Sequence, residues 1–249
     1  MPDSSLQSAL RQRFAGFDPA PSTRFALGVE RIDKALGGGL AHGRLHELWP
    51  AAAADQPSAA GFALMLALRA GGRGGNIVWL TEDRGARRDG RLYPPGLAEL
   101  GADPARLLFV TAPDETSLLR AAADVVRSPA AGTAVIAPAG PAHSFDLTAS
   151  RRLTLFAERS GVSAILLRAC DPAAPSAATT RWCVAAAPSA ALEANAPGHP
   201  AFALDLVRQR GGAPASGWRL EWRRDDAAFA PLSGDIPADA GGGSVAAGS

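Results

Sequence analysis

The residues whose types and spacing could perform chemistry lie in segment 37–69, which has the layout of a phosphate-binding site. A glycine turn at Gly37 leads into an alternation of apolar residues over 45–49 that predicts a strand. A loop of Ala, Asp, Gln, Pro and Ser follows, and then an apolar run over 61–68 that predicts a helix. In such a frame, the sequence G-x-x-x-x-G-K-[ST] binds phosphates through backbone N–H groups, a lysine and a hydroxyl.

The side chains for that chemistry are missing. Lys34 is the only lysine of the chain, and it precedes the predicted strand, so it cannot stand in the loop. No glycine lies between Trp49 and Gly61, and the loop carries a carboxylate, Asp55, without a cation to offset phosphate charge. A standard P-loop is therefore excluded, while a loop that holds nucleotide through backbone N–H groups alone stays open as an alternative.

Two further clusters have the residue types of metal or hydrolytic sites but not the spacing. His42 and His46 are four apart, and a glycine turn between them removes the helix face that would let both bind one metal ion. His143, Ser144 and Asp146 are neighbours in sequence, whereas a hydrolytic triad is assembled from distant positions and needs an oxyanion donor. We expect no metal site, and we interpret the second cluster as a helix N-terminus with Ser144 or Asp146 as its cap.

A basic segment follows the predicted strand over 76–80. It places four arginines within eight residues, namely Arg84, Arg87, Arg88 and Arg91. Because Gly85 and Gly90 interrupt it, we predict a basic loop, which could contact nucleic-acid phosphates or an acidic partner. The alternative is an ordinary solvated surface, since Glu82, Asp83 and Asp89 are interleaved and offset much of the charge.

A second binding candidate is the segment WRLEWRRD near the C-terminus. If it is a strand, Trp218 and Trp222 point to the same face, with Leu220 between them. Packing in the core is the usual role of such a stripe. Docking of a partner on these large aromatic side chains is the alternative.

The elements that must position these residues follow an α/β rhythm. Helices are predicted over 27–36, 114–127 and 146–159, and short apolar strands over 76–80, 107–110, 134–137 and 163–167. This alternation predicts a mostly parallel sheet covered by helices on both faces. Three strands without intervening helices follow over 181–186, 202–209 and 218–223, which favours antiparallel pairing in the C-terminal part.

The ends of the chain differ from this core. Leu6, Leu10 and Phe14 form one face of a short predicted helix, which either packs on its own domain or docks on a partner or a second copy. We therefore divide the chain into an N-terminal helix and linker (1–24), a domain (25–230), and a Gly/Ala/Ser/Pro tail (231–249) that we expect to be disordered.

Composition excludes several function classes. A net charge of +1 gives no general attraction to nucleic acid or anionic lipid, and the longest apolar run, 61–68, is far shorter than a bilayer requires. The first residues lack a secretory pattern, so we expect a cytoplasmic protein. Cys170 and Cys183 lie in apolar surroundings, and we expect small core residues rather than a disulfide.

Several motifs in a fixed order carry a family resemblance. They are GGGL at Gly37, Gly43-Arg44, TEDRGA at Thr81, LYPPGL at Leu92 and LVRQRGG at Leu206. With these motifs, the chain resembles the ImuA family over residues 25–225. These proteins are RecA-like accessory proteins of bacterial damage-induced mutagenesis, and some are described as similar to the SulA cell-division inhibitor. The resemblance implies a RecA-like core.

Within that core, the resemblance assigns the nucleotide-site positions. The lysine and hydroxyl of the P-loop fall near Ala59 and Ala60, and the aspartate that steadies Mg²⁺ falls near Pro138. The one acidic position that survives is Glu82, which would polarise the attacking water. Because phosphoryl transfer depends on positioning and charge neutralisation, Glu82 alone is insufficient. The resemblance thus implies no catalytic residue, no cofactor and no metal.

The resemblance also implies partners. It points to a non-catalytic scaffold that supports error-prone translesion synthesis in the SOS response by binding an ImuB-type homologue of Y-family polymerases. An error-prone replicative-type DNA polymerase and RecA are further candidate partners, self-association is conceivable, and direct DNA contact is left open. Two rival hypotheses remain: an atypical ATPase that uses Glu82 with Arg84 or an arginine of a neighbouring subunit, and a SulA-like inhibitor of a cell-division or recombinase protein.

Overall fold

A computed structural model describes residues 24–71, 75–169 and 174–232 of the chain. The predicted helix over 4–14, Cys170 and the segment beyond residue 232 lie outside these residues. The described helices are α1 (Glu30–Ala35), α2 (Gln56–Gly71), α3 (Asp83–Arg88), α4 (Pro94–Glu99), α5 (Glu115–Arg127) and α6 (Leu147–Ser160). The described strands are β1 (Arg24–Phe25), β2 (Leu40–Ala41), β3 (Leu45–Pro50), β4 (Ile77–Glu82), β5 (Leu107–Ala112), β6 (Thr133–Ala137), β7 (Ser163–Leu167), β8 (Thr180–Ala186), β9 (Ala201–Gln209), β10 (Ala215–Arg223) and β11 (Ala228–Pro231).

The main sheet has nine strands in the order β11-β10-β9-β8-β3-β7-β6-β4-β5. The strands from β8 to β5 along this order pair in parallel. The strands β8 to β11 pair with one another antiparallel. The predicted fold class, an α/β protein with a mostly parallel sheet and antiparallel C-terminal strands, is confirmed.

Helices cover the parallel part of the sheet on both faces. The long helix α2 packs on one face, where Phe62, Leu66 and Trp182 belong to the larger core cluster. Helices α5 and α6 pack on the opposite face, where Leu118 and Leu153 belong to a second cluster. The predicted caps are confirmed, because the Asp114 and Asp146 carboxylates accept hydrogen bonds from the backbone N–H groups of the first turns.

The strand β3 lies at the centre of the parallel region, with β7 on one side and β8 on the other. All six of its residues are buried, including His46 and Glu47. Because β3 leads directly into the segment before α2, the central strand positions the loop that the sequence marks as a phosphate-binding frame. The carboxyl ends of parallel strands in such sheets are the usual place for a binding site.

The two tryptophans proposed as a docking surface lie inside the protein. Trp218, Leu220 and Trp222 share one face of β10, as the alternation predicted, and all three are buried in the larger cluster. The Trp222 Nε1–H donates to the carbonyl of Leu100 at 2.9 Å, and the Trp218 ring lies 5.8 Å from that of Trp182. The docking hypothesis for Trp218 and Trp222 is therefore wrong in this fold, because both side chains stabilise the core.

The final strand extends the sheet past the predicted boundary at residue 230. Strand β11 ends at Pro231, and Leu232 is buried. Among the described residues, no helix combines the length and apolar character needed to cross a membrane.

Candidate functional site

A large groove opens at the carboxyl ends of β4 to β7, between the start of α2 and the segment 85–100. Its volume is about 880 Å³, and we call it the carboxyl-end groove. The residues that line it include Gln56, Ala60 and Leu64 of α2, Trp79, Phe109 and Leu167 of the strands, Pro138 after β6, and Asp89, Arg91 and Leu97 of the segment 85–100. Most of the lining is apolar, so the groove provides contact area with few hydrogen-bonding groups.

The loop between β3 and α2 uses its hydrogen-bonding groups within the protein. The N–H of Ala51 donates to the carbonyl of Val184 at 2.8 Å, which continues the pairing of β3 with β8. The Asp55 carboxylate accepts from the N–H of Ala52 at 3.1 Å and from that of Ala186 at 2.9 Å. Asp55 therefore fastens the loop to β8 and binds one backbone donor of the loop itself, the N–H of Ala52.

The backbone of this loop also lacks the shape of a phosphate cradle. Residues 51–61 are all described, and none of them has a positive φ. An anion-binding concavity of successive N–H groups requires alternating right-handed and left-handed backbone conformations. The loop instead forms a short 3-10 turn over Ala53–Asp55 that runs directly into α2.

The start of α2 can be compared with the positions predicted for the lost lysine and hydroxyl. In a P-loop, these two residues open the helix after the loop. Here α2 begins with Gln56 and Pro57, so Ala59 and Ala60 lie about one turn further along. Ala59 is buried in the core, and Ala60 lines the carboxyl-end groove. The assignment to Ala59 and Ala60 stays a prediction. Gln56 and Pro57, which open α2, also carry neither an amine nor a hydroxyl, and Pro57 has no N–H to offer.

The surviving acidic position, Glu82, is bonded to the protein. Its side chain is buried at the end of β4, where Oε1 accepts a hydrogen bond from the N–H of Ala139 at 2.8 Å. Its Oε2 lies 3.2 Å from Nε of Arg84. Pro138 follows β6 directly, is buried, and lines the groove, as its proposed position at a strand end requires. Glu82 thus ties the β6–α6 connection to the end of β4.

The basic segment is a short helix rather than a loop. Residues Asp83–Arg88 form α3, which contains three of the four arginines. The prediction of a basic loop is wrong because Gly85 is accommodated in one helical turn, where its missing side chain lets α3 pack on Ala139. A Cβ atom at Gly85 would lie 2.9 Å from that of Ala139.

Three of these arginines have acidic partners. Arg84 pairs with Glu82, and Arg87 pairs with Asp83 at 2.7 Å. Arg88 pairs with Asp89 and also donates to the carbonyl of Ala139 at 3.0 Å. The Arg88 guanidinium lowers the pKa of the Asp89 carboxyl. Among the described residues, Arg91 has no ion-pair partner, so it is the one guanidinium of this segment left for a ligand.

Glu47 of β3 belongs to a buried charge cluster that was not predicted from the sequence. Glu47 of β3 forms ion pairs with Arg168, just after β7, and with Arg181 of β8, the latter at 3.3 Å. Arg168 also donates to the carbonyl of Phe145 at 2.7 Å, and the Arg181 guanidinium lies 5.2 Å from the centre of the Trp49 ring. A glutamate inside the predicted central strand was the available signal, because a buried carboxylate requires a partner.

The histidines do not form a metal site. Within the described residues, no group of three potential ligands lies close enough to hold an ion. The ring of His46 lies between the Thr180 hydroxyl at 2.8 Å and the carbonyl of Ala41 at 3.0 Å. Since a carbonyl only accepts, Nε2 carries the proton and Nδ1 accepts from Thr180. Burial lowers the pKa of His46 to about 4, so this side chain is neutral at pH 7.

The cluster of His143, Ser144 and Asp146 lies at a helix N-terminus, as the sequence predicted. Asp146 caps α6 by accepting from the N–H of Ala149 at 2.7 Å. The N–H of Ser144 donates to the carboxylate of Glu115 in α5. These contacts orient the connection between β6 and α6.

These observations define an α/β protein with a nine-stranded, mostly parallel sheet and an apolar groove where a phosphate-binding loop would face its ligand. The chain is similar to Protein ImuA of Caulobacter vibrioides strain NA1000 / CB15N, with 35% identity over 151 residues, 59% of this chain and 58% of that protein. Protein ImuA of strain ATCC 19089 / CIP 103742 / CB 15 matches with the same figures. This similarity agrees with the resemblance to the ImuA family that the ordered motifs carry.

The match covers only part of the curated relatives. The chain spans 58% of the length of the curated relatives it matches. No family model matches the chain.

Proposed function

We propose that this protein is a non-catalytic, RecA-like scaffold that supports error-prone translesion synthesis after DNA damage by binding an ImuB-type homologue of Y-family polymerases. The observation that carries the proposal is that the hydrogen bonds of the β3–α2 loop are made within the protein, in a chain similar to Protein ImuA. There, the Asp55 carboxylate accepts from the N–H groups of Ala52 and Ala186, and it places a negative charge where a nucleotide phosphate would have to bind. Contact with an error-prone replicative-type polymerase would follow through the ImuB-type partner.

Electrostatics argue against nucleotide chemistry. A triphosphate in this loop would meet the carboxylate of Asp55 and no lysine, since Lys34 lies before β3. Phosphoryl transfer also needs a metal ion to neutralise the developing charge. The resemblance places two residues near such an ion, Glu82 and Pro138. The Glu82 carboxylate is bonded to Ala139 and Arg84, and the side chain of Pro138 has no atom that could bind a metal.

The same contacts disfavour the rival hypothesis of an atypical ATPase. That hypothesis requires Glu82 as a base, with a charge supplied by Arg84 or by an arginine of a neighbouring subunit. The two side chains pair with each other, and the Glu82 side chain is buried. Direct DNA binding by the basic segment is disfavoured in a similar way, because Arg84, Arg87 and Arg88 each have a carboxylate partner.

Two measurements with the full chain test the proposal. Calorimetric titration with ATP and MgCl2 should give no saturable heat, because neither a lysine nor a free phosphate cradle is present. Co-purification with an ImuB-type protein from the same genome should give a complex at micromolar concentration. Saturable ATP binding overturns the non-catalytic assignment, and the absence of a complex overturns the scaffold assignment.

A further inference from the structure

The carboxyl-end groove has the composition of a docking site for a protein segment. Phe109 projects from β5 into the groove with 43% of its surface exposed, and Tyr93 beside the groove is 70% exposed. Large aromatic side chains at the surface are unfavourable in water and are enriched in the centres of protein interfaces. The volume of about 880 Å³ is near the upper end for ligand pockets, and it is sufficient for several apolar side chains.

The charges along the groove indicate what accompanies those apolar side chains. Asp89 lines the groove, but its two carboxylate oxygens accept from Arg88 at 2.7 Å each. Arg91 also lines the groove, is exposed, and has no ion-pair partner among the described residues. The groove therefore presents one uncompensated positive charge beside an apolar surface, which is complementary to a ligand with one carboxylate.

A third feature favours a peptide over a hydrocarbon ligand. The side-chain oxygen of Gln56, which lines the groove at the start of α2, is buried and has no hydrogen-bond partner within the described part of the chain. A buried acceptor without a donor costs free energy, and a backbone N–H or an amide N–H would satisfy it. A fully ionised nucleotide phosphate supplies no such donor, and the Asp55 carboxylate repels it.

We propose that the carboxyl-end groove binds a segment of a partner protein that carries two or more apolar side chains and an adjacent acidic residue. This inference rests on the proposed scaffold function and assigns its docking surface. The apolar side chains pack on Phe109, Leu64 and Leu97, the carboxylate pairs with Arg91, and an N–H group donates to Gln56. The site that carries phosphates in a working P-loop protein thus serves as a peptide site here.

The test compares matched variants of the full chain for binding to the purified ImuB-type protein by biolayer interferometry. Arg91→Gln and Phe109→Ala should each weaken binding about tenfold, the effect of losing one well-placed contact. Arg87→Gln is the matched control, because Arg87 lies on the same segment but pairs with Asp83. Leu155→Ala, at a half-exposed position of α6 on the opposite sheet face, is the apolar control. Both controls should bind like the wild type.

The outcomes separate this inference from the proposed function. If the wild type binds and Arg91→Gln and Phe109→Ala bind equally well, the groove assignment is overturned while the scaffold function stands. If the wild type does not bind, the scaffold function fails and the inference fails with it. Thermal melting of each variant ensures that only folded protein is compared, and both positions are exposed, so folding should be retained. Self-association that Phe109→Ala abolishes would assign the groove to a second copy instead.

Discussion

The carboxylate of Glu82 accepts a hydrogen bond from the backbone N–H of Ala139 at 2.8 Å, which joins the end of β4 to the connection after β6. Arg88 donates to the carbonyl of Ala139 at 3.0 Å. The acidic residue at the position expected to polarise a water molecule thus accepts from the backbone of Ala139, which lines the carboxyl-end groove.

Replacement of Glu82 tests this structural role. We expect Glu82→Ala to lower the free energy of unfolding by about 2 kcal/mol, because the Ala139 N–H would be left buried without an acceptor. Glu82→Gln should cost less than about 1 kcal/mol, since its amide oxygen can still accept and the ion pair with exposed Arg84 is weak. Urea unfolding followed by circular dichroism measures both. Equal stabilities for Glu82→Ala and the wild type would show that the bond contributes nothing.

Replacement of Asp55 tests the fastening of the β3–α2 loop. Asp55→Ala removes the acceptor for the N–H groups of Ala52 and Ala186, and we expect a loss of about 1–2 kcal/mol. Asp225→Ala is the control, because the Asp225 side chain is 94% exposed and should change stability by less than about 0.5 kcal/mol. Urea midpoints give the comparison. We also expect Asp55→Ala to remain unable to bind ATP, because no lysine appears in the loop; saturable binding by this variant would contradict the argument from charge.

The buried charge cluster of Glu47, Arg168 and Arg181 predicts a large loss of stability when Glu47 is replaced. Glu47→Gln would leave Arg168 and Arg181 without their shared carboxylate in the interior. Breaking a buried pair on one side typically costs about 3–5 kcal/mol, which corresponds to a fall in melting temperature on the order of 10 °C for a chain of this size. Differential scanning calorimetry measures it, with Asp83→Asn, from an exposed pair, as the control expected to change little. A melting temperature near that of the wild type would mean that water or a rearranged arginine replaces the carboxylate.

Acid should destabilise the protein through His46. Burial lowers the pKa of His46 to about 4, below its ordinary value of 6.5 in the unfolded chain. Between these values the unfolded state binds a proton that the folded state does not, so stability falls as pH decreases from 6.5 towards 4. The full effect is about 3 kcal/mol. Burial also lowers the pKa of His42, which adds an effect of the same sign.

Unfolding midpoints in urea at pH 7.0, 6.0 and 5.0 measure this dependence, in a range above most carboxyl pKa values. His46→Gln should be less stable at pH 7 but should lose most of the slope, because a neutral amide does not titrate. An unchanged slope in His46→Gln would assign the acid sensitivity to other groups.

Much of the fold follows from local patterns in the sequence. The apolar runs of β4, β6 and β7 and the aspartate caps of α5 and α6 gave nearly the observed bounds, because burial and capping are local signals. Strand β11 was missed because four residues ending in Pro231 carry too short an alternation to stand out. The pairing that fixes it, Trp222 with Phe229, is not visible in either segment alone.

The candidate site was harder to predict than the fold. Counting motif positions along the chain put the lost lysine and hydroxyl at Ala59 and Ala60, whereas the residues that open α2 are Gln56 and Pro57, because motif spacing does not fix where a helix begins. The basic segment was predicted as a loop because glycine lowers helix propensity, and the close packing of Gly85 on Ala139 overrides that preference. The carboxyl-end groove unites α2, β5 and the segment 85–100, which are far apart in sequence.

The hydrogen bond from Ala51 to Val184 makes the β3–α2 loop an extension of the central sheet. If the chain acts as the proposed scaffold, a loop fixed in this way would not tighten and relax around a cleaved phosphate, and the protein would lack the internal timer that hydrolysis gives to motor and switch proteins. We expect assemblies built on it to persist until the protein itself is diluted or degraded, and the duration of error-prone synthesis would then be governed by how much of the chain the cell makes.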